Sequence, residues 1–168
     1  MQPEVSIIMG SVSDLKVMEK AAKVLDEFAI PFEVNALSAH RTPEEVEKFA
    51  RKAHENGIKV IIAGAGMSAH LPGVLAAFTA IPIIGVPINA SLDGMDALLS
   101  IVQMPPGIPV ATVGIDSAQN AALLAVQMLS INNKTIYQQY VSYKNKLKDK
   151  IVNANKQLKE VVYKHKTN

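Results

Sequence analysis

Three short polar stretches of this chain carry residue types that could do chemistry together: Gly10-Ser11-Val12-Ser13-Asp14, Ser38-Ala39-His40-Arg41-Thr42-Pro43 and Gly64-Ala65-Gly66-Met67-Ser68-Ala69-His70-Leu71-Pro72-Gly73. Imidazole titrates close to neutral pH, so His40 could both give and take a proton. Beside it, Arg41 offers a planar fork suited to phosphate or carboxylate. Ser11, Ser13 and Asp14 stand where a helix begins, a place whose free N–H groups and dipole attract anions. Their hydroxyls add donors, and Asp14 could accept bonds from ribose hydroxyls. Plain helix capping would explain the same serines and aspartate equally well. Gly64 and Gly66 would let a ligand approach the backbone closely. His70 could cap the helix that follows, touch ligand or form part of a wall. His54 and His165 read as surface residues.

Each stretch follows an apolar, strand-like run and opens a helical pattern. Val5–Met9, Pro31–Leu37, Val60–Ala63, Ile81–Ile88 and Ile108–Ile115 read as strands. Helical spacing runs from Asp14 to Phe28, from Thr42 to Asn56-Gly57, from about Leu71, from Leu92 to Gln103 and from Ala118 to Ile131. The second of these has a clear start, with Thr42 as N-cap, Pro43 at the first helical position and Glu45 completing a capping box. Five β-α alternations predict an α/β fold: a three-layer, doubly wound parallel sheet of flavodoxin-like order 2-1-3-4-5. That order would place strand one between strands two and three. The three polar loops would then share one edge of the sheet.

The remaining chain predicts a long C-terminal helix from roughly Asn133 to Lys164, with a one-sided stripe through Ile136, Tyr140, Tyr143, Leu147, Ile151, Ala154, Leu158 and Val161. Residues 1–132 are expected to form the catalytic domain; the stripe of 133–168 could pack back on its own sheet, and the reading adopted is an extension packing on a neighbouring subunit. A net charge of +2 conceals an asymmetry that fits this: residues 133–168 carry +7 and residues 1–132 carry −5. The lysines lack interleaved aromatics for base stacking, so nucleic acid is not an expected partner.

Composition narrows the chemistry further. At 168 residues, 49% hydrophobic and 19% charged, the chain suits a globular protein with a sizeable core. It contains no cysteine, which excludes disulfides, thiolate metal sites and a cysteine nucleophile. No cluster has metal-ligand spacing, so no bound metal is expected. The most apolar region, Phe78–Leu92, is broken by Pro82 and Pro87, so no membrane partner is expected. The first residues already read as a strand rather than a leader, which points to the cytoplasm.

The GSxSD loop, SAHRTP, GAGxxAHLPG and the later Ser100-Ile101-Val102-Gln103-Met104-Pro105, in unbroken order from Val5 to Leu129, resemble the class I N(5)-carboxyaminoimidazole ribonucleotide mutases of purine biosynthesis. The resemblance implies an intramolecular carboxyl shift on a ribonucleotide substrate, with CO2 as a transient intermediate and no cofactor. It also implies a homo-octamer with active sites at subunit contacts. Carried over by position, His40 is the general acid/base, and Ser11, Asp14 and Arg41 bind substrate with Ser13 and Ser38. Ala65, Gly66, Ala69, His70 and Leu71 would enclose the ring and the migrating carboxyl group. Met67 stands where the family usually has Gly and Ser68 where it usually has Ala, while segments 89–93 and 116–119 are shorter than usual.

Two rivals differ in residues rather than fold. Direct carboxylation of aminoimidazole ribonucleotide by CO2, the class II activity, goes with sequences that usually lack the GAGxxAHLPG stretch. A flavodoxin-like signalling module would need an acidic pair after strand one and an Asp after strand three, where this chain has Gly10-Ser11 and Gly64. A flavin binder would want aromatic walls, and aromatics are only 5% of the residues.

Overall fold

Five parallel strands, β1 (Val5–Met9), β2 (Phe32–Ala36), β3 (Val60–Gly66), β4 (Ile83–Ile88) and β5 (Ala111–Thr112), lie in the order β2-β1-β3-β4-β5. The computed structural model describes residues 2–168. The helices are α1 (Leu15–Glu27), α2 (Pro43–Lys52), α3 (Leu71–Phe78), α4 (Met95–Val102), α5 (Ala118–Ser130) and α6 (Lys134–Glu160). This is the doubly wound, flavodoxin-like arrangement that the β-α alternation predicts.

Two-residue periodicity divides the strand side chains between two cores. Val5, Ile7, Met9, Ile62 and Ile84 pack with α1 and α5, whereas Ile8, Ile61, Ala63 and Ile83 pack with α2, α3 and α4. Strands covered on both faces are nearly all apolar, and β1 and β4 have no exposed residue; the one polar side chain among them, Ser6, donates to Glu33 Oε1 at 3.0 Å.

The register fixes the functional edge. Met9 of β1 pairs with Ala36 of β2 on one side and Gly64 of β3 on the other. The loops leaving β1 and β2, and the end of β3, therefore emerge side by side. Gly64 is required by packing, because a Cβ there would collide with the Met18 sulfur of α1 and lie 3.1 Å from Ile88 Cδ1. Gly66 is similarly confined, with a Cβ falling 2.9 Å from Ala90 Cβ and 3.2 Å from the Ile88 carbonyl. The missing side chains at these glycines thus make room for the protein's own helix and strand, whatever the backbone meets in the cleft. Ala65 and Gly66 also belong to β3, paired with Pro87 and Ile88, where the sequence pattern put a loop.

β5, α4 and the start of α2 also differ from expectation, for local reasons. β5 shrinks to Ala111–Thr112: Val113 N–H still donates to the Gly85 carbonyl at 3.2 Å, but the next donor on that side of β4 would come from Pro87, which has none. α4 starts at Met95 instead of Leu92, because Leu92, Asp93 and Gly94 have φ of 44°, 53° and 81° and form a left-handed turn. Thr42 holds the N-cap position of α2, with Pro43 following as expected, but its side chain makes no capping bond to the helix. Its Oγ1 instead accepts from Ser38 N–H at 3.0 Å and donates to the Ser38 carbonyl at 3.2 Å.

α6 divides into two parts. Asn133 caps it, accepting from Thr135 and Ile136 N–H at 3.1 Å each. Ile136 is buried, and Tyr140 and Tyr143 pack on Phe28 of the same chain at ring-centroid distances of 6.4 and 5.7 Å. This section of the predicted stripe has an intramolecular partner after all. Beyond it, Leu147, Ile151 and Leu158 are 50%, 63% and 58% exposed. The helix ends at Glu160, short of Lys164, where Lys166 Nζ turns back to the carbonyls of Leu158, Lys159 and Val161.

Replacing Gly64 by Ala is expected to destabilise the protein by about 1–3 kcal/mol through overpacking against Met18. The check is the urea midpoint, and an unchanged value would mean that Met18 swings aside without strain.

Candidate active site

At the C-terminal ends of β1, β2 and β3, the three polar stretches enclose one open cleft of about 630 Å³. Every sequence-predicted site residue lines it: Ser11, Ser13 and Asp14 after β1; Ser38, His40 and Arg41 after β2; Ala65, Gly66, Ala69, His70 and Leu71 on or after β3. Gly10, Ala39, Met67, Ser68 and Ala90 line it too, without having been singled out as site residues. Ala90 follows β4 and was findable from the rule that ligands sit beyond strand C-termini. Two further cavities, of about 680 and 540 Å³, lie at the opposite edge against the segment Thr79–Pro82, and no ionisable side chain lines the larger.

The β1 loop is a single tight turn over Val12–Asp14 leading into α1. Ser11 is its N-cap, its Oγ accepting from Ser13 N–H at 3.3 Å, so the capping explanation holds for that hydroxyl. Ser13 Oγ donates to Asp14 Oδ1 at 3.4 Å. Partial burial raises the Asp14 carboxyl above its ordinary value, against the opposing pull of the Ser11 backbone, the Ser13 hydroxyl and the Arg41 charge.

The β2 loop is braced from within and from β1. Ser38 Oγ accepts from both the backbone N–H and Nε of Arg41, each at 3.3 Å. Arg41 Nη2 donates to the Gly10 carbonyl at 2.6 Å, tying the β2 loop across the top of β1. A guanidinium has five donors, so this arrangement leaves several for an anion in the cleft.

The third stretch completes the site by turning sharply. Met67 has φ +56°, Ala69 N–H donates to the Met67 carbonyl at 2.8 Å, and His70 N–H to the Ser68 carbonyl at 2.7 Å. That conformation costs a non-glycine residue about 1–2 kcal/mol and accounts for the glycine that the resembled family usually has here. Through this turn His70, which precedes α3 without capping it by its side chain, reaches the β2 loop. Its Nδ1 lies 2.8 Å from His40 Nε2, with the rings edge to face at 4.9 Å. One ring donates and the other accepts, so the contact holds when only one of the two facing nitrogens bears hydrogen. Ala69 and Leu71 are buried, so they form wall rather than polar contacts. Among the described residues, no group of three or more His, Cys, Asp or Glu side chains converges as a metal would require.

A doubly wound sheet with serines, an aspartate, an anchored arginine and a histidine pair around one cleft defines a small-molecule enzyme of the flavodoxin-like class. Residues 4–150 match the AIR carboxylase family, and the chain belongs to that family. It is 62% identical over 147 residues to the N5-carboxyaminoimidazole ribonucleotide mutase of Pyrococcus abyssi, covering 87% of this chain and 84% of the relative. Identity to the mutase of Methanocaldococcus jannaschii is 52% over 157 residues, or 94% and 98% of the two chains. The crystal structure of Treponema denticola PurE superposes with a TM-score of 0.86 at 34% identity, covering 94% of this chain and 99% of that one.

The raised Asp14 carboxyl has a consequence for stability. The folded state holds that proton more tightly than the unfolded chain, so the ionised side chain opposes folding at pH 7, and the penalty is relieved as pH falls through the raised value. Asp14→Asn should therefore unfold at higher urea than the parent at pH 7, with the margin vanishing below the ordinary carboxylate value. A less stable variant at pH 7 would mean that the hydrogen bonds to Asp14 outweigh its burial.

Proposed function

We propose that this chain is an N5-carboxyaminoimidazole ribonucleotide mutase, moving a carboxylate from the exocyclic nitrogen of the aminoimidazole ring to carbon 4. The relatives' names support the reaction, and the observation that carries it to these residues is His40 standing in the cleft against His70. His40 donates a proton to the exocyclic nitrogen as the N–C bond breaks, the bonding pair staying on nitrogen and CO2 being released. Carbon 4 of the electron-rich ring then attacks CO2. His40 recovers a proton from carbon 4, which restores aromaticity and returns the imidazole to its starting state. His70 orients the His40 ring through the 2.8 Å contact. Arg41 and the serines 11, 13 and 38 hold the nucleotide's anionic groups, and Asp14 accepts from ribose hydroxyls. Ala65, Gly66, Ala69 and Leu71 surround the ring with small or apolar groups that keep water from the liberated CO2.

The working form in this proposal is a cytoplasmic homo-octamer, with residues 1–132 as catalytic domain and 133–168 as an extension on a neighbouring subunit. Support comes from the exposed outer stripe of α6 and from the opposite charges of the two segments, +7 and −5. Among the described residues no helix is long and apolar enough to cross a membrane.

Purified protein given the carboxyamino nucleotide without added bicarbonate should form 4-carboxy-5-aminoimidazole ribonucleotide. Turnover of aminoimidazole ribonucleotide with CO2, and none of the carboxyamino substrate, would transfer the chain to direct carboxylation. His40→Asn should lower kcat by about 10²–10⁴-fold while nucleotide affinity stays within a few-fold; unchanged kcat would remove His40 from the mechanism. A chain ending at Lys144 keeps Tyr140 and Tyr143 and should remain folded by circular dichroism. Light scattering should then find an assembly smaller than eight, and an intact octamer would exclude the outer part of α6 from the interface.

A further inference from the structure

One motif of the sequence has no place in the cleft. None of the side chains from Ser100 to Pro105, at the end of α4 and in the turn after it, lines the cavity that holds His40 and His70. Two of them meet glycines instead. Ile101 is fully buried over Gly85 of β4, where a Cβ would collide with its Cγ2 and lie 3.4 Å from Pro72 Cβ of α3. Met104, three residues on, lies over Gly73 of α3, where a Cβ would fall 3.0 Å from its sulfur and 3.2 Å from its Cε. Glycine is a poor helix former, so Gly73 weakens α3 taken alone. What it supplies is room: with Gly85 beneath, it lets the end of α4 close on the first turn of α3 at Pro72 and Gly73.

That first turn carries His70. The His70 carbonyl accepts from Val74 N–H at 2.9 Å, so this residue moves with the helix, and Gly73 neighbours it one turn on. His70 Nδ1 in turn lies 2.8 Å from His40 Nε2. Resting on the mutase reading above, we infer that Met104 is a positioning residue for the carboxyl shift: seated on Gly73, it fixes where α3 begins and so holds His70 against His40. Ile101 gives that contact its footing, because Gly85 lets it sink onto the sheet. The backbone of the motif is tied as well, Gln103 N–H donating to the Leu99 carbonyl at 3.3 Å and Met104 N–H to the Val102 carbonyl at 3.1 Å. Small displacements matter here, since a misplacement of about 1 Å can cost a catalytic group on the order of 10²-fold in rate.

The test is a double-mutant cycle read in the carboxyl shift. Met104→Ala should lower kcat several-fold with little change in KM, whereas Met104→Leu, which still reaches Gly73, should stay near the parent. In a His70→Ala background, Met104→Ala should lower kcat no further, because both residues act on His40 along one path. Light scattering should find the same assembly for each variant. If Met104→Ala does not fold, Met104→Val keeps an apolar side chain too short to reach Gly73, and the same results are expected of it. Unchanged kcat in either Met104→Ala or His70→Ala would overturn the inference and leave the mutase reading intact. A further, equal loss in the His70→Ala background would overturn it too. So would a loss that accompanies a smaller assembly, which would assign Met104 to a contact between copies. A parent protein unable to convert the carboxyamino nucleotide would remove the mutase reading and this inference with it.

Discussion

The rest of the molecule depends on the parallel hydrogen-bonded register of β1 between β2 and β3. Met9 lies level with Ala36 and Gly64, so three loops far apart in sequence leave the sheet at one height. Slipping β1 by one residue would turn Ile7 and Ile8 each toward the other's core and part Ser6 Oγ from Glu33 Oε1, to which it donates at 3.0 Å across the β1–β2 pair. Gly64 is part of the same constraint, since only a missing side chain lets α1 settle over β3 through Met18. The bond from Arg41 to the Gly10 carbonyl then locks the β2 loop to the top of β1. The position of His40 follows from backbone pairing some distance below it.

Four of the five described non-glycine residues with positive φ lie at this functional edge, Ala29 before β2 being the exception. Met67, Leu92, Asp93 and Asp116 all carry positive φ, and all lie on segments leaving the C-terminal ends of strands. Asp116 shows how such a turn is held: its N–H donates to the Pro87 carbonyl at 2.9 Å, and its carboxylate accepts from Asn89 N–H at 3.0 Å. The shorter segments at 89–93 and 116–119 are thereby fastened to each other beyond β4. The same edge carries Asp14, whose carboxyl is disfavoured in its ionised form by partial burial. Conformational and electrostatic costs of this kind persist where the surrounding fold over-determines the geometry, and here that fold is the apolar sheet beneath.

The two ends of α6 reflect different bonding needs. Near its start, Ile136 and the two tyrosines complete the core around Phe28, and Gln119 Nε2 donates to the Tyr143 hydroxyl at 3.3 Å. Farther out, the apolar stripe continues with nothing of the same chain to meet it. A helix that is amphipathic along its whole length yet packed only at its base is the form expected of a segment shared between subunits.

The alternation of strands and helices, the two cores and the three chemically loaded loops were legible in the sequence, because each depends on periodicity or capping within a few neighbouring residues. The alternation made order 2-1-3-4-5 the commonest expectation without fixing it, and four motifs in register carried the resemblance to the family before any coordinates. Other features could not be read locally. Thr42 is the N-cap residue that the pattern predicts, but the fold turns its hydroxyl onto the Ser38 backbone instead of the helix. Nothing near Gly64 and Gly66 in sequence announces that Met18 and Ala90 take up the space a side chain there would need. The contact between His40 and His70 joins residues 30 positions apart at 2.8 Å, and it exists only because β1 separates their strands and Met67 turns the chain back. Periodicity along a chain fixes which side of an element is apolar. Which side chains meet across elements is set by register, crossover and turn together, and those are properties of the assembled fold.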